Sequence, residues 1–262
     1  MGKGERFKKN ENSILTNKIN VKNITSFLLF IFFLILFIIS GKKVINYLKD
    51  ARNNKELYAE LSQYTKENED NTSNKYNIDF ASLKQKNSDT VGFIKVNGTD
   101  VNHIVVKGTD NNFYLTRNFE KEYNVSGWIF ADYRNKLDGS DKNIIIYGHN
   151  TETDNRFTPL LNYKREEFYQ KHKYIELATN NGLYRYEIFS VYSVDATKFY
   201  YIDTEFESQT DYDNFITSLV KKSRYDTGVE VTAADSILTL STCDYSIKNG
   251  RFVVQARLVK TP

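Results

Sequence analysis

One cysteine occurs in 262 residues. It is Cys243, the last residue of SILTLSTC (236–243). A thiol attacks a carbonyl as its thiolate, and it needs a base or a cation beside it; histidine is the usual partner. The chain has three histidines. His103 lies inside the strand-like run NHIVVKG, the pattern of a sheet residue. His172 lies among the charges of YQKHKY, the pattern of a solvated helix residue. His149 stands where the apolar run NIIIY gives way to the polar GHNTETD. Strand ends and loops collect functional residues, so His149 is the candidate partner, with a loop-capping role as its alternative.

A cation is also at hand. The polar loop DYSIKNG (244–250) separates Cys243 from Arg251, which opens RFVVQARLV (251–259). If the two flanking runs pair as a hairpin, Cys243 and Arg251 face each other across the base of that loop. Arg257 is the alternative cation, but six residues of strand put it about 20 Å further along. The chemistry open to these three groups is acyl transfer. The Cys243 thiolate attacks a carbonyl carbon, and the His149 imidazolium protonates the departing amine. Arg251, permanently charged, holds substrate or stabilises the oxyanion, with backbone N–H groups near Cys243 completing that site. A thioacyl-enzyme results, released by water or by an amine.

The elements around these residues read mostly as short strands. GFIKVNG (92–98), NHIVVKG (102–108), GWIFADYR (127–134) and NIIIYGHN (143–150) are β-rich runs bounded by turn residues. YIELAT and YRYEIFSVYSV flank the turn NNG, and SILTLSTC and RFVVQARLV close the chain. REEFYQKHK (165–173) reads as a helix. TDYDNFITSLVKKS (210–223) does too, with apolar residues at helical spacing and an acidic first turn. About eight strands with few helices predict a mainly β fold, a closed or nearly closed barrel with peripheral helices.

The N-terminus is of another kind. ITSFLLFIFFLILFIIS (24–40) is 17 residues without a charge. That is at the short end of a bilayer span, and it lacks the polar stripe of a soluble helix. Lys42 and Lys43 follow at once, which makes a poor signal-cleavage site and favours an uncleaved anchor. Residues 1–41 hold six Lys/Arg against two Glu, a balance of +4, whereas the whole chain is only +3. Basic flanks stay in the cytoplasm, so the residues after the anchor face outward. The expected organisation is a cytoplasmic basic tail (1–23), a transmembrane anchor (24–40), a juxtamembrane helix and polar spacer (41–77), and a catalytic domain (78–262). The small net charge argues against a nucleic-acid partner. One Cys and three scattered His lack metal-ligand spacing, so neither a metal nor another cofactor is expected. Outside the cell a lone Cys has no intrachain disulfide partner and is inert, intermolecular or reactive.

The stretch Thr239-Leu240-Ser241-Thr242-Cys243, followed by Arg251 in GRFVV and preceded by Tyr147-Gly148-His149-Asn150, resembles the sortase family, and class B within it. DNNFYLTRNF (110–119) and GWIFADYRN (127–135) are similar to class B segments as well, so the resemblance spans roughly 78–262. It implies an eight-stranded sortase barrel with class B helices: one packed near the start of the domain, from 43–60 or from 78–88, and one before the last strands. Cys243, His149 and Arg251 would be catalytic. Ser241, Thr242, Tyr147, Asn111 and Leu115 would line the substrate groove. The reaction would cut a C-terminal sorting signal of a surface protein after its Thr. The signal would be of the Asn-Pro-x-Thr-Asn type or a variant, and the acyl group would pass to an amine of peptidoglycan or its lipid-linked precursor in a Gram-positive cell. Two other readings stay open. A papain-like hydrolase would place Cys before His, the reverse of the order here. A non-catalytic surface binding module would bury an unreactive Cys243.

Overall fold

The computed structural model describes residues 21–67, 76–151 and 156–259. The first 20 residues of the expected basic tail, and residues 68–75 of the expected spacer, lie outside them. The chain divides into two compact units between Tyr47 and Leu48. Helix α1 (Val21–Ser62) runs through that division. In the first unit it contains the apolar run, whose side chains from Ile24 to Ser40 are all exposed. Helix α1 is long and apolar enough to cross a membrane.

The second unit is built in chain order from β1 (Thr65–Glu67), β2 (Tyr76–Ile78), α2 (Phe80–Lys86), β3 (Thr90–Val96), β4 (Asn102–Val106), β5 (Phe130–Ala131), β6 (Asn143–Tyr147), α3 (Glu166–Lys171), β7 (Tyr174–Thr179), β8 (Gly182–Asp195), α4 (Gln209–Lys222), β9 (Ile237–Cys243) and β10 (Gly250–Val259). β1 and β2 pair antiparallel with each other. The other eight close a barrel in the order β10-β8-β7-β3-β4-β5-β6-β9. Closure leaves no free edge. Alternation along each strand separates an inner core from two outer faces. On β10, Phe252, Val254 and Ala256 point into the barrel core with Ile146, Leu177 and Leu240. Val253 points outward, under α4.

Helix α4 follows its sequence pattern. Ser208 caps it by accepting a hydrogen bond from the Asp211 N–H at 3.1 Å. Its Tyr212, Phe215, Ile216 and Leu219 are buried on the outer face of β8 and β10. The other outer face, around Ile104, Val106 and Phe130, is covered by Leu57 and Leu61 of α1 together with Leu83 of α2. Both stretches named as sources of a packing helix thus supply one. Tyr58 of α1 stacks on Trp128 with ring centroids 4.7 Å apart.

The strand expected over 127–134 is reduced to Phe130–Ala131. Gly127 has φ +58 and is pressed against the Tyr114 carbonyl, where a Cβ would come within 2.4 Å. Trp128 then spends its indole N–H on the Ile104 carbonyl at 2.9 Å. Asp132 turns the chain by accepting the Arg134 backbone N–H at 3.1 Å. The backbone bonds from Val106 N–H to the Ile129 carbonyl at 3.2 Å and from Asp132 N–H to the Ile145 carbonyl at 2.9 Å flank these two residues.

Candidate active site

Strand β9 is the central element of the site. It is buried on both faces up to Cys243, the signature of a strand with a parallel neighbour. That neighbour is β6, equally apolar, with Tyr147 opposite Ser241. Carried two residues on, the same register places His149 level with Cys243. Two bonds continue it: Gly148 N–H to the Ser241 carbonyl at 3.2 Å, and Asn150 Nδ2 to the Cys243 carbonyl at 3.0 Å. On the other side β10 is antiparallel, with Arg251 directly opposite Cys243. Three adjacent strands therefore end in a row of imidazole, thiol and guanidinium. Directly opposed residues sit roughly 5 Å apart between Cβ atoms.

The six-residue loop between β9 and β10 (244–249) is a tight fold. Asp244 N–H bonds to the Gly250 carbonyl at 3.0 Å and Gly250 N–H to the Ile247 carbonyl at 2.9 Å. A Cβ at Gly250 would lie 2.2 Å from the Asp244 carbonyl oxygen. Asp244 itself is buried, bonded to the Ser193 and Ser246 hydroxyls at 2.6 Å each. Lys164 Nζ pairs with it at 2.7 Å. Burial opposes its ionisation, but these donors outweigh burial and hold the carboxyl well below the usual carboxylate range. Its charge is thus compensated beside the thiol.

Cys243 is a half-buried free thiol. His149 Nε2 lies 2.9 Å from the Leu115 carbonyl. A carbonyl only accepts, so in this arrangement Nε2 carries a proton. Arg251 bonds the Gly250 carbonyl through Nη1 at 3.0 Å. Arg257 lies elsewhere: it pairs with Ile237 at the far end of the hairpin and with Glu187 at 3.1 Å.

All eight residues singled out from sequence line one cleft of about 260 Å³: Asn111, Leu115, Tyr147, His149, Ser241, Thr242, Cys243 and Arg251. A larger cavity of about 590 Å³ lies at the start of α4, and it contains none of them. The Thr242 hydroxyl is buried and bonds to nothing among the described residues. The Tyr147 and Tyr201 phenols are pushed up by burial, so both stay neutral hydrogen-bonding groups. Thiol, imidazole, guanidinium and neutral hydroxyls around one cleft are the parts of acyl transfer through a thioester.

Comparisons with known proteins place the chain in a family. The family model described as the sortase domain matches residues 94–259. The chain belongs to the sortase family, class B. It is 36% identical to sortase B of Staphylococcus aureus over 88% of this chain and 95% of that protein. Among solved structures, sortase B of Bacillus anthracis in complex with AAEK1 superposes with a TM-score of 0.71 at 36% identity, covering 82% of this chain and all of that one. A Staphylococcus aureus sortase B–substrate complex gives 0.66 at 36% identity over 85% and 99%. This sortase is a cysteine transpeptidase, and the readings as a papain-like hydrolase or an inert binding module fall away.

Sequence reasoning missed several residues of the sortase cleft. Phe130, Gly148 and Ile202 also line it. Tyr201, from the same irregular segment as Ile202, is hydrogen-bonded to Ser241 Oγ at 2.8 Å. That segment has no periodicity that would have marked it. Asp132 lay in a run noted for its resemblance, yet nothing in the run singled it out.

Proposed function

We propose that this sortase cuts a C-terminal sorting signal after its Thr and joins the surface protein to an amine of peptidoglycan or of its lipid-linked precursor. The register across β6, β9 and β10 supports the reading most, because it sets His149 and Arg251 on either side of Cys243. Cys243 sulfur attacks the Thr carbonyl carbon. Arg251 and backbone N–H groups bear the oxyanion that forms. His149 gives its proton to the leaving amide nitrogen as the C–N bond breaks. The thioester waits in the cleft. An incoming amine then attacks the same carbon, the thiolate leaves, and a new amide bond forms while a proton returns to His149. Asn111, Leu115, Tyr147, Ser241 and Thr242 hold the signal peptide, whose recognised core is of the Asn-Pro-x-Thr type.

The run 24–40 anchors the chain in the membrane, with the basic tail (1–23) in the cytoplasm and the catalytic domain outside. The charge asymmetry supports that orientation. Residues 41–77 link anchor to catalytic domain (78–262).

The test uses the full chain in detergent micelles with quenched peptides bearing Asn-Pro-x-Thr-Asn, Ser-Pro-x-Thr-Gly and Leu-Pro-x-Thr-Gly cores. Cleavage after Thr is expected, fastest for the first, and absent in Cys243→Ala. Adding a peptidoglycan-type amine should convert hydrolysis product to amide. Equal turnover by Cys243→Ala would sink the mechanism.

A further inference from the structure

The cleft walls come from segments far apart in the chain, and one carboxylate joins them. Asp132 is fully buried and does not line the cleft. Its Oδ2 accepts from Asn111 Nδ2 at 2.8 Å, from the Tyr147 hydroxyl at 2.9 Å and from Arg134 Nη2 at 2.8 Å. Its Oδ1 accepts from Arg134 Nε at 2.8 Å and from the Arg134 backbone N–H at 3.1 Å. The carboxylate, with about four lone-pair sites, is saturated. The bonds run on from there. The Asn111 Oδ1 accepts the Tyr133 N–H at 3.0 Å, which orients the amide. Arg134 Nη2 also donates to the Ile202 carbonyl at 2.9 Å. Asn111, Tyr147 and Ile202 all line the cleft. Asn111 and Ile202 sit outside the strand ladders, in irregular backbone.

We infer that Asp132 is a positioning residue for the transpeptidase reaction: it locks Asn111, Tyr147 and the Ile202 segment into one peptide-binding wall. The inference rests on the cleft being where the sorting signal binds. Every group facing the carboxylate is a donor. An amide in its place would turn an N–H toward at least one of them and leave that donor unpaired in a buried site. The wall would loosen while Cys243, His149 and Arg251, held by the β6-β9-β10 register, would stay. Asp132 thus acts on peptide binding and not on the nucleophile.

The test compares Asp132→Asn with the parent chain in micelles, using the Asn-Pro-x-Thr-Asn peptide. KM should rise about tenfold to hundredfold, with kcat changed far less. The rate of Cys243 alkylation by iodoacetamide should stay within about twofold, because that small reagent needs no wall. In an Asn111→Ala/Tyr147→Phe background, the further effect of Asp132→Asn should shrink to a fewfold at most, since coupled residues do not add. A KM within twofold of the parent, or a full multiplicative loss in that background, would overturn the inference. So would alkylation falling in step with cleavage, which marks a general structural lesion. If Asp132→Asn does not fold, Arg134→Gln, at a partly exposed position, cuts the Ile202 arm and should raise KM; an unchanged KM overturns the hub. Amide hydrogen exchange reads the same network without peptide. It should quicken in 110–116 and 198–203 but not in β6, β9 or β10, and no change there is a refutation. A parent chain that cleaves no sorting peptide would count against the binding role of the cleft, whereas exchange would still report on the hub.

Discussion

Replacing each of the two arginines on the last strand tests the hairpin register by its chemistry. Arg251 is directly opposite Cys243, and Arg257 is opposite Ile237. Opposed Cβ atoms are about 5 Å apart. A guanidinium that reaches across to within about 5 Å of a charge developing on the reacting atoms is worth about 3 kcal/mol to it, at the effective dielectric of about 20 found near protein surfaces. That corresponds to about two orders of magnitude in rate. Arg257 is six residues further on, about 20 Å along the strand. At that range the coupling falls to about 0.2 kcal/mol in water, and the separation exceeds a Debye length of about 8 Å. Arg251→Ala should therefore lower kcat/KM about 10²–10³-fold. Arg257→Ala should leave kcat/KM within about twofold, losing only its ion pair with Glu187, worth about 0–1 kcal/mol of stability. Arg251→Lys should fall between, because a lysine keeps the charge and loses the planar fork. The assay is the initial rate of quenched-peptide cleavage at several concentrations, with thermal unfolding of each variant as control. If Arg257→Ala proves as damaging as Arg251→Ala, the electrostatic reasoning from the register is wrong.

Two further perturbations have defined outcomes. His103 is buried against Tyr58 and near Arg156, and burial first, then the Arg156 charge, pushes its imidazole down to about 3. A folded value below the ordinary 6.5 means stability is whole above pH 6.5 and drains as pH falls toward 3. Between pH 7.5 and 5 the loss should be about 2 kcal/mol, and His103→Leu should abolish that component. Urea midpoints at the two pH values measure it, and an identical pH dependence in both proteins would refute it. Gly148→Ala would bring a Cβ within 2.7 Å of the buried Phe157 ring. The chain on either side of Gly148 must then shift, carrying His149 away from Cys243. A loss of about 1–3 kcal/mol in unfolding free energy is expected, together with a larger loss of kcat than of peptide affinity. A stable, fully active variant would show that the Gly148 contact does not set the position of His149.

Much of the site was legible in the chain because its residues sit where apolar runs end. NIIIY and SILTLSTC are continuous β-branched and apolar stretches, so their final residues had to emerge at a barrel rim. The single Cys, the one His at such a boundary and the Arg after the loop then stood out by type alone. The capped, amphipathic α4 was equally plain, since Ser208, Asp211 and the spacing of Tyr212, Phe215, Ile216 and Leu219 are local properties. The start of the barrel unit was less clear. Leu57 and Leu61 look like residues of any exposed helix until the face around Ile104 and Phe130 is known to need cover.

Side-chain type and local periodicity marked most of the strands, helix α4 and Cys243 as the candidate nucleophile, because those signals act within a few residues. Pairing across the chain decided the rest. The parallel alignment of β6 with β9 sets His149 level with Cys243 across 94 residues of sequence, and no local pattern encodes a parallel register. Asp132 gathers, besides its near neighbour Arg134, donors from Asn111 and Tyr147, which lie 21 and 15 residues away in sequence. A buried carboxylate must find its donors wherever the fold supplies them, so its role becomes visible only once the barrel has closed around it.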